Sequence, residues 1–216
     1  RGYSRYDYSK SDGYSADLDR NGNVIRFKSD NAVTTAPFRK ELTEWAAQNG
    51  KYFYANGSPA LMSEQRMPVL FFVEGGNGHG NLASGHLSQV PLALGNYGDF
   101  KTHKGIFEAA KTALSIGTVY SPHQNCNLLL KHRNEFVCRM YPLTIMELGS
   151  GIIKGKERII TTKSGTFDWQ IADGDVDLYI YDGNGDWCGE VKPGRVKNHS
   201  ITLQVPPDGM VIAERK

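Results

Sequence analysis

The sequence predicts an α/β fold joined to an all-β fold. Residues 1–148 are predicted to form the C-terminal part of a (β/α)8 barrel, and residues 149–216 a small antiparallel β-sandwich. Helical and strand patterns alternate over most of the first segment, which is typical of β/α units. After Pro142 the runs are short, separated by turns, and apolar residues alternate with polar ones. The domain boundary is placed near residue 149, where this pattern changes.

Size and charge exclude several classes of protein. The chain has 216 residues, enough for one or two domains with a core. A net charge of +2 gives no electrostatic reason to expect a nucleic acid. No apolar run approaches the roughly 20 residues of a membrane-spanning helix. The 24 Gly and 11 Tyr suit a loop-rich β protein and also a surface that binds sugars. We therefore expect a carbohydrate partner, no nucleic acid and no membrane span.

The first elements are a loop and a helix. Polar residues dominate the first thirty positions, which predicts a long loop. A helix is predicted from Pro37, because proline is favoured in the first turn. Its expected apolar face consists of Phe38, Leu42, Trp45 and Ala46. Gly50 is expected to end the helix.

Three strands and a helix follow. The strands are KYFYANG, MPVLFFVEGG and GTVYS, and the run from Val69 to Val73 does not alternate, as in parallel strands buried on both faces. A helix near residues 104–116 carries a buried stripe of Ile106, Phe107, Ala110, Ala113 and Leu114. Three parallel strands cannot close a barrel. We therefore expect an N-terminal segment or a separate chain to complete it; an independent open three-stranded domain is the alternative.

The last segment has the pattern of antiparallel strands. Val176, Leu178 and Ile180 alternate with polar or aromatic residues, and residues 182–185 provide a turn. Four aromatic residues in this segment have two interpretations, a platform for sugars or a structural cap on the barrel. They are Trp169, Tyr179, Tyr181 and Trp187.

Candidate site residues lie where the predicted parallel strands end. Active groups of β/α barrels sit at the carboxyl ends of the strands. Glu74 ends one strand and Asn56 the strand before it, while Tyr120 and His123 follow the strand after it. Asn77 and His79 lie in the Gly-rich loop next to Glu74. Such groups can hold a sugar and cleave its acetal. The alternatives are a structural salt bridge for Glu74 and structural roles for the histidines.

The order of several motifs carries a family resemblance. YSADLD, YANG and FVEGG precede the run PLTIMELGSGIIKGKERIITTKSGTFDW, from Pro142 to Trp169. In this order the chain resembles barrel glycoside hydrolase-like proteins with a C-terminal β-sandwich. The resemblance covers most of the chain, and its most specific part, the run from Pro142, is not catalytic.

The resemblance implies a glycoside hydrolase that acts on an extracellular or cell-wall polysaccharide. Hydrolysis of the acetal uses two carboxyl groups, of which Glu74 is one. The earlier strands of the family pattern are missing here, and Asp7 is the candidate for the second carboxylate. The alternative is a non-catalytic structural or carbohydrate-binding extracellular glycoprotein built on a barrel that has lost its activity.

Further features concern location and cofactors. Asn198 begins the sequon Asn198-His199-Ser200, which predicts glycosylation and secretion. Asn56 also begins a sequon, but we expect it to line the site. Cys126 and Cys138 are expected to pair, and three reduced thiols are the alternative. His79 and His86 are seven residues apart in a loop, a poor spacing for a metal, so neither a metal nor another cofactor is expected.

Overall fold

The computed structural model describes residues 5–51, 53–56, 61–74, 93–95, 99, 101–121 and 135–216. These residues fall into two compact units. The first contains the described residues up to Phe71, and the second those from Phe72 onward. The predicted boundary near residue 149 stays a prediction. Among the helices of the described ranges, none is long and apolar enough to cross a membrane.

The first unit begins with a three-stranded antiparallel sheet, so the prediction of a long loop is wrong. Its strands are β1 (Tyr6–Asp7), β2 (Ser15–Leu18) and β3 (Val24–Asp30), in the order β1-β3-β2. Arg26 and Lys28 lie two residues apart on one face of β3, and both bind Asp17 of β2, at 2.7 and 2.5 Å. These cross-strand pairs explain how so polar a segment forms a sheet.

Helix α1 (Asn31–Gln48) begins six residues before Pro37, and the predicted apolar face is wrong for Phe38 and Trp45, although its member Ala46 is buried. Phe38 is 65% exposed and Trp45 57% exposed, whereas Ala32, Thr43 and Ala46 are buried. Arg39, on the buried side, forms an ion pair with the buried carboxylate of Glu64. The small residues allow close packing, so the face that packs is chosen by shape and by this ion pair. As predicted, the chain leaves the helix through Gly50, which has a positive φ.

Asp30 starts α1, and its removal should weaken the first unit. Its carboxylate accepts a hydrogen bond from the Ala32 N–H at 2.8 Å and binds Arg5 at 3.0 Å. Burial opposes ionisation of Asp30, but the bonds from Arg5 and the Ala32 N–H outweigh it and hold its pKa below the ordinary value. We expect Asp30→Ala to lower the free energy of unfolding by about 1–2 kcal/mol, measured by urea denaturation at neutral pH.

The stabilisation by Asp30 should depend on pH. Because the pKa of Asp30 is lowered by folding, its contribution is present above the unfolded value of about 3.9 and is lost as the pH falls through the folded value. Asp30→Asn is the matched control, since asparagine also caps helices and should retain most of the stability at neutral pH. Equal stability of Asp30→Ala and the wild type would contradict the role of the cap.

A second sheet contains the three strands that were predicted from the apolar runs, plus one more. Its strands are β4 (Phe53–Asn56), β5 (Val69–Glu74), β6 (Ala93–Gly95) and β7 (Val119–Tyr120), in the order β4-β5-β6-β7. β5 pairs with β6 and β6 with β7, both in parallel. The short helix α2 (Met62–Gln65) precedes β5, and α3 (His103–Ser115) precedes β7. The predicted apolar stripe of α3 is confirmed: all five of its residues are buried.

The rest of the second unit is antiparallel. After α4 (Phe136–Arg139) come β8 (Ile145–Gly149), β9 (Ile152–Gly155), β10 (Arg158–Thr161), β11 (Gly165–Asp168), β12 (Gly174–Tyr181), β13 (Lys192–Val196), β14 (Ser200–Leu203) and β15 (Met210–Arg215). Six of these strands form one sheet in the order β13-β12-β15-β10-β9-β8, and β11 pairs with β14 in a small sheet.

The central strands of the six-stranded sheet carry buried side chains on both faces. On one face a cluster around Trp169 joins residues of the large sheet, such as Val176 and Val211, to Ile201 and Leu203 of β14. On the other face Tyr181 is buried against Phe136 of α4, with the ring centroids 6.2 Å apart. Burial of Trp169, Tyr179 and Tyr181 makes them core residues, so the sugar platform is not formed by these three aromatic side chains.

The predicted fold class is wrong. Antiparallel sheets dominate the described residues, with 38% strand, 23% helix and four helices, so this is not a portion of a (β/α)8 barrel. Parallel pairing joins β5 to β6 and β6 to β7, which are short strands of one four-stranded sheet. The cross-strand pairs of the first thirty residues and the hairpins after Pro142 favour antiparallel pairing instead. We expected an N-terminal segment or a separate chain because three parallel strands cannot close a barrel. Since the fold is not part of a barrel, this reason no longer applies.

Candidate functional site

Glu74 and Tyr120 lie at the same edge of the parallel strands. Glu74 is the last residue of β5 and is opposite Gly95 of β6. Tyr120 is the last residue of β7 and is opposite Leu94 of β6. Since neighbouring strands are about 4.8 Å apart, the two strand ends are separated by about 10 Å of sheet. Carboxyl ends of parallel strands are a frequent location of ligand sites.

The local sequence explains how β5 and β7 are held in position. Val69 and Phe71 of β5 are buried, which fixes the strand in the interior of its sheet. On the other side, α3 ends at Ser115, and Gly117 turns the chain with a φ of 68° into β7. Thr118 closes this turn: both its N–H and its hydroxyl donate to the Ala113 carbonyl, at 2.9 and 3.0 Å.

Tyr120 is an interior residue. Tyr120 is only 3% exposed, and its backbone carbonyl accepts a hydrogen bond from the Tyr141 hydroxyl. Burial and, to a smaller extent, the nearby Tyr120 raise the pKa of Tyr141 to about 12. The Tyr141 phenol is therefore a neutral donor near neutral pH. Tyr120 is placed to support the strand edge rather than to stack on an exposed sugar face.

Among the other predicted sugar-binding residues, only Asn56 is in the described part of the chain. Asn56 is the last residue of β4, the strand next to β5. Asn77, His79 and His123 lie outside the described residues. Their assignment as sugar-binding groups stays a prediction, as does the catalytic role of Glu74.

Asp7, the candidate for the second carboxylate, stabilises a turn. It ends β1, which pairs with β3 in the antiparallel sheet of the first unit. Its carboxylate accepts hydrogen bonds from the hydroxyl and the N–H of Ser9, at 2.6 and 2.9 Å. These bonds lower the pKa of Asp7 below its usual value. An ionised carboxylate held in this way is a poor proton donor.

The predicted modification sites are described in part. Asn198 and His199 form the turn between β13 and β14, both with positive φ, and both are exposed. Their N–H groups donate to Asp173 at 2.9 and 3.0 Å. An exposed tight turn is accessible to a modifying enzyme. Cys138 and Cys188 form no disulfide with any described residue. Cys126 is outside the described ranges, so its pairing with Cys138 stays a prediction.

One feature of the second unit was not predicted. Glu214 of β15 binds two arginines, Arg139 at 3.0 Å and Arg158 at 3.3 Å, although the three residues are far apart in sequence. Arg158 is buried, and Arg139 also lies over the ring of Tyr179 at 4.2 Å. A sequence signal existed in Arg158, which directly precedes the apolar pair Ile159-Ile160, but a charged residue at a strand start is usually exposed.

Comparison with known proteins gives no relative. No protein-family model matches this sequence, and no curated protein is significantly similar to it.

Proposed function

We propose that the chain is a glycoside hydrolase-like protein that acts on an extracellular or cell-wall polysaccharide, with Glu74 as one of two catalytic carboxyl groups. The position of Glu74 at the carboxyl edge of the parallel strands supports this proposal most directly. Ligands of proteins with parallel strands usually bind outside this edge of the sheet. The exposed sequon at Asn198 is consistent with an extracellular location.

The proposed reaction breaks the bond between the anomeric carbon and the bridging oxygen. One carboxyl group gives its proton to the departing oxygen, and the second either attacks the anomeric carbon or activates a water molecule. In the first case water later cleaves the glycosyl-enzyme, and in the second case the product is formed in one step. Glu74 takes the role of nucleophile in this proposal. Tyr120, buried two strands away, keeps the strand edge in place.

A second candidate function is a non-catalytic structural or carbohydrate-binding glycoprotein. One observation favours it. Asp7, the candidate for the second catalytic carboxylate, is bound to Ser9 in a turn. A chain that binds sugars without cleaving them needs no second carboxylate.

A hydrolysis assay separates the two functions. We would incubate the purified chain with a panel of neutral and acidic polysaccharides and measure new reducing ends, and we expect their release from at least one. NMR of the first anomer formed would then identify retention or inversion. Binding to a polysaccharide without release of reducing ends from any member of the panel would contradict the enzyme and support the second function.

A further inference from the structure

The second unit has a cleft lined mainly by basic side chains. Its volume is about 480 Å³, within the range of small-molecule sites. The charged residues that line it are Lys156, Glu157, Arg158, Glu214, Arg215 and Lys216. Four of the six are basic, in a chain whose total net charge is only +2. We call this site the basic cleft.

The two acidic residues of the basic cleft are already bound to protein groups. Glu157 accepts hydrogen bonds from the N–H and the hydroxyl of Thr144, at 2.7 and 2.6 Å. Glu214 is bound by Arg139 and Arg158. Their oxygens therefore face protein donors, and the charge of Glu214 is balanced by arginine. A ligand in the cleft meets little competition from these carboxylates for the basic side chains.

The basic side chains differ in their availability. Arg158 is buried and bound to Glu214 and to the Arg139 carbonyl, and Lys216 pairs with Asp177 at 3.0 Å, so these two cations already have protein partners. Lys156 and Arg215 are exposed, and no described residue forms an ion pair with either of them. These two exposed cations form a site for a negatively charged group.

We propose that the basic cleft binds the anionic groups of an acidic saccharide, either carboxylates or sulfates. The proposal deepens the function proposed above and rests on it, because that function makes the ligand a carbohydrate. Arg215, the exposed arginine of the cleft, suits this ligand, since a guanidinium binds a planar carboxylate or a sulfate through parallel hydrogen bonds. The substrate class is then an acidic polysaccharide rather than a neutral one.

The test measures binding without hydrolysis. Isothermal titration at low salt would compare oligogalacturonate, a sulfated galactan oligosaccharide and a neutral oligosaccharide of equal length, with Glu74→Gln as the parent protein. We expect binding of an anionic sugar but not of the neutral one. Lys156→Gln with Arg215→Gln should raise the Kd about tenfold, and added salt should weaken the binding of the parent. Comparison of oligogalacturonate with the sulfated oligosaccharide decides whether the bound group is a carboxylate or a sulfate.

The matched control removes the same charge elsewhere. Lys163 and Lys192 are exposed lysines of the same unit that do not line the cleft. Lys163→Gln with Lys192→Gln should leave the Kd within about twofold of the parent. Equal weakening by both double variants, or equal binding of a single-stranded DNA oligonucleotide, would overturn the proposal by showing non-specific attraction of polyanions. Failure of the hydrolysis assay with intact binding would reject the enzyme and leave the basic cleft standing.

Discussion

Replacing Glu74 with glutamine should lower the rate of polysaccharide hydrolysis by about 10³-fold, with little effect on folding. Glutamine has nearly the same size but can neither attack the anomeric carbon as a carboxylate nor exchange a proton. A positioned carboxyl group contributes about 10²–10⁴-fold to such reactions. The measurement is the initial rate of reducing-end release at saturating polysaccharide, so that a change in binding does not enter.

The control for this variant is Glu147→Gln. Glu147 of β8 has an exposed side chain paired with Lys154 at 2.8 Å, so the substitution makes the same chemical change away from the strand edge. We expect its rate to stay within about twofold of the wild type, since exposed ion pairs contribute little. Far-UV circular dichroism checks the fold of both variants. Full activity of a folded Glu74→Gln would remove this residue from the proposed mechanism.

Replacing Trp169 with alanine should lower the free energy of unfolding by about 3–5 kcal/mol, the usual cost of deleting a buried tryptophan. Trp169 is 0% exposed and belongs to the cluster between the large sheet and the β11–β14 pair. Its indole N–H also donates to the Gly155 carbonyl at 2.7 Å. Alanine would leave both a cavity and a buried carbonyl without this donor.

Trp45→Ala provides the comparison for this loss. Trp45 is 57% exposed on α1, so the same substitution should change the stability by no more than about 0.5 kcal/mol. Urea denaturation followed by far-UV circular dichroism measures both variants. Trp169→Phe should lie between the wild type and Trp169→Ala, because it retains a ring but loses the N–H. Similar losses for Trp45→Ala and Trp169→Ala would contradict the burial described here.

Elements governed by neighbours in sequence were predicted from the sequence. The buried stripe of α3 and the strand β12 follow from local periodicity. The strand β5 follows from a short, continuous apolar run, the pattern of a strand buried on both faces. The strand-end position of Glu74 was predictable because this apolar run stops there. Burial of Tyr120 was not, because its partner Tyr141 lies 21 residues away.

The direction of strand pairing and the choice of buried face were decided by the tertiary structure. On α1 the bulky Phe38 and Trp45 fit the pattern of a core face, yet small residues and the Arg39–Glu64 pair lie on the buried side. On β12 Tyr179 and Tyr181 fit an exposed face, yet α4 covers Tyr181. Periodicity shows which residues share a face, but burial depends on what packs there. That contact is made by segments distant in sequence, as in the two arginines that meet at Glu214.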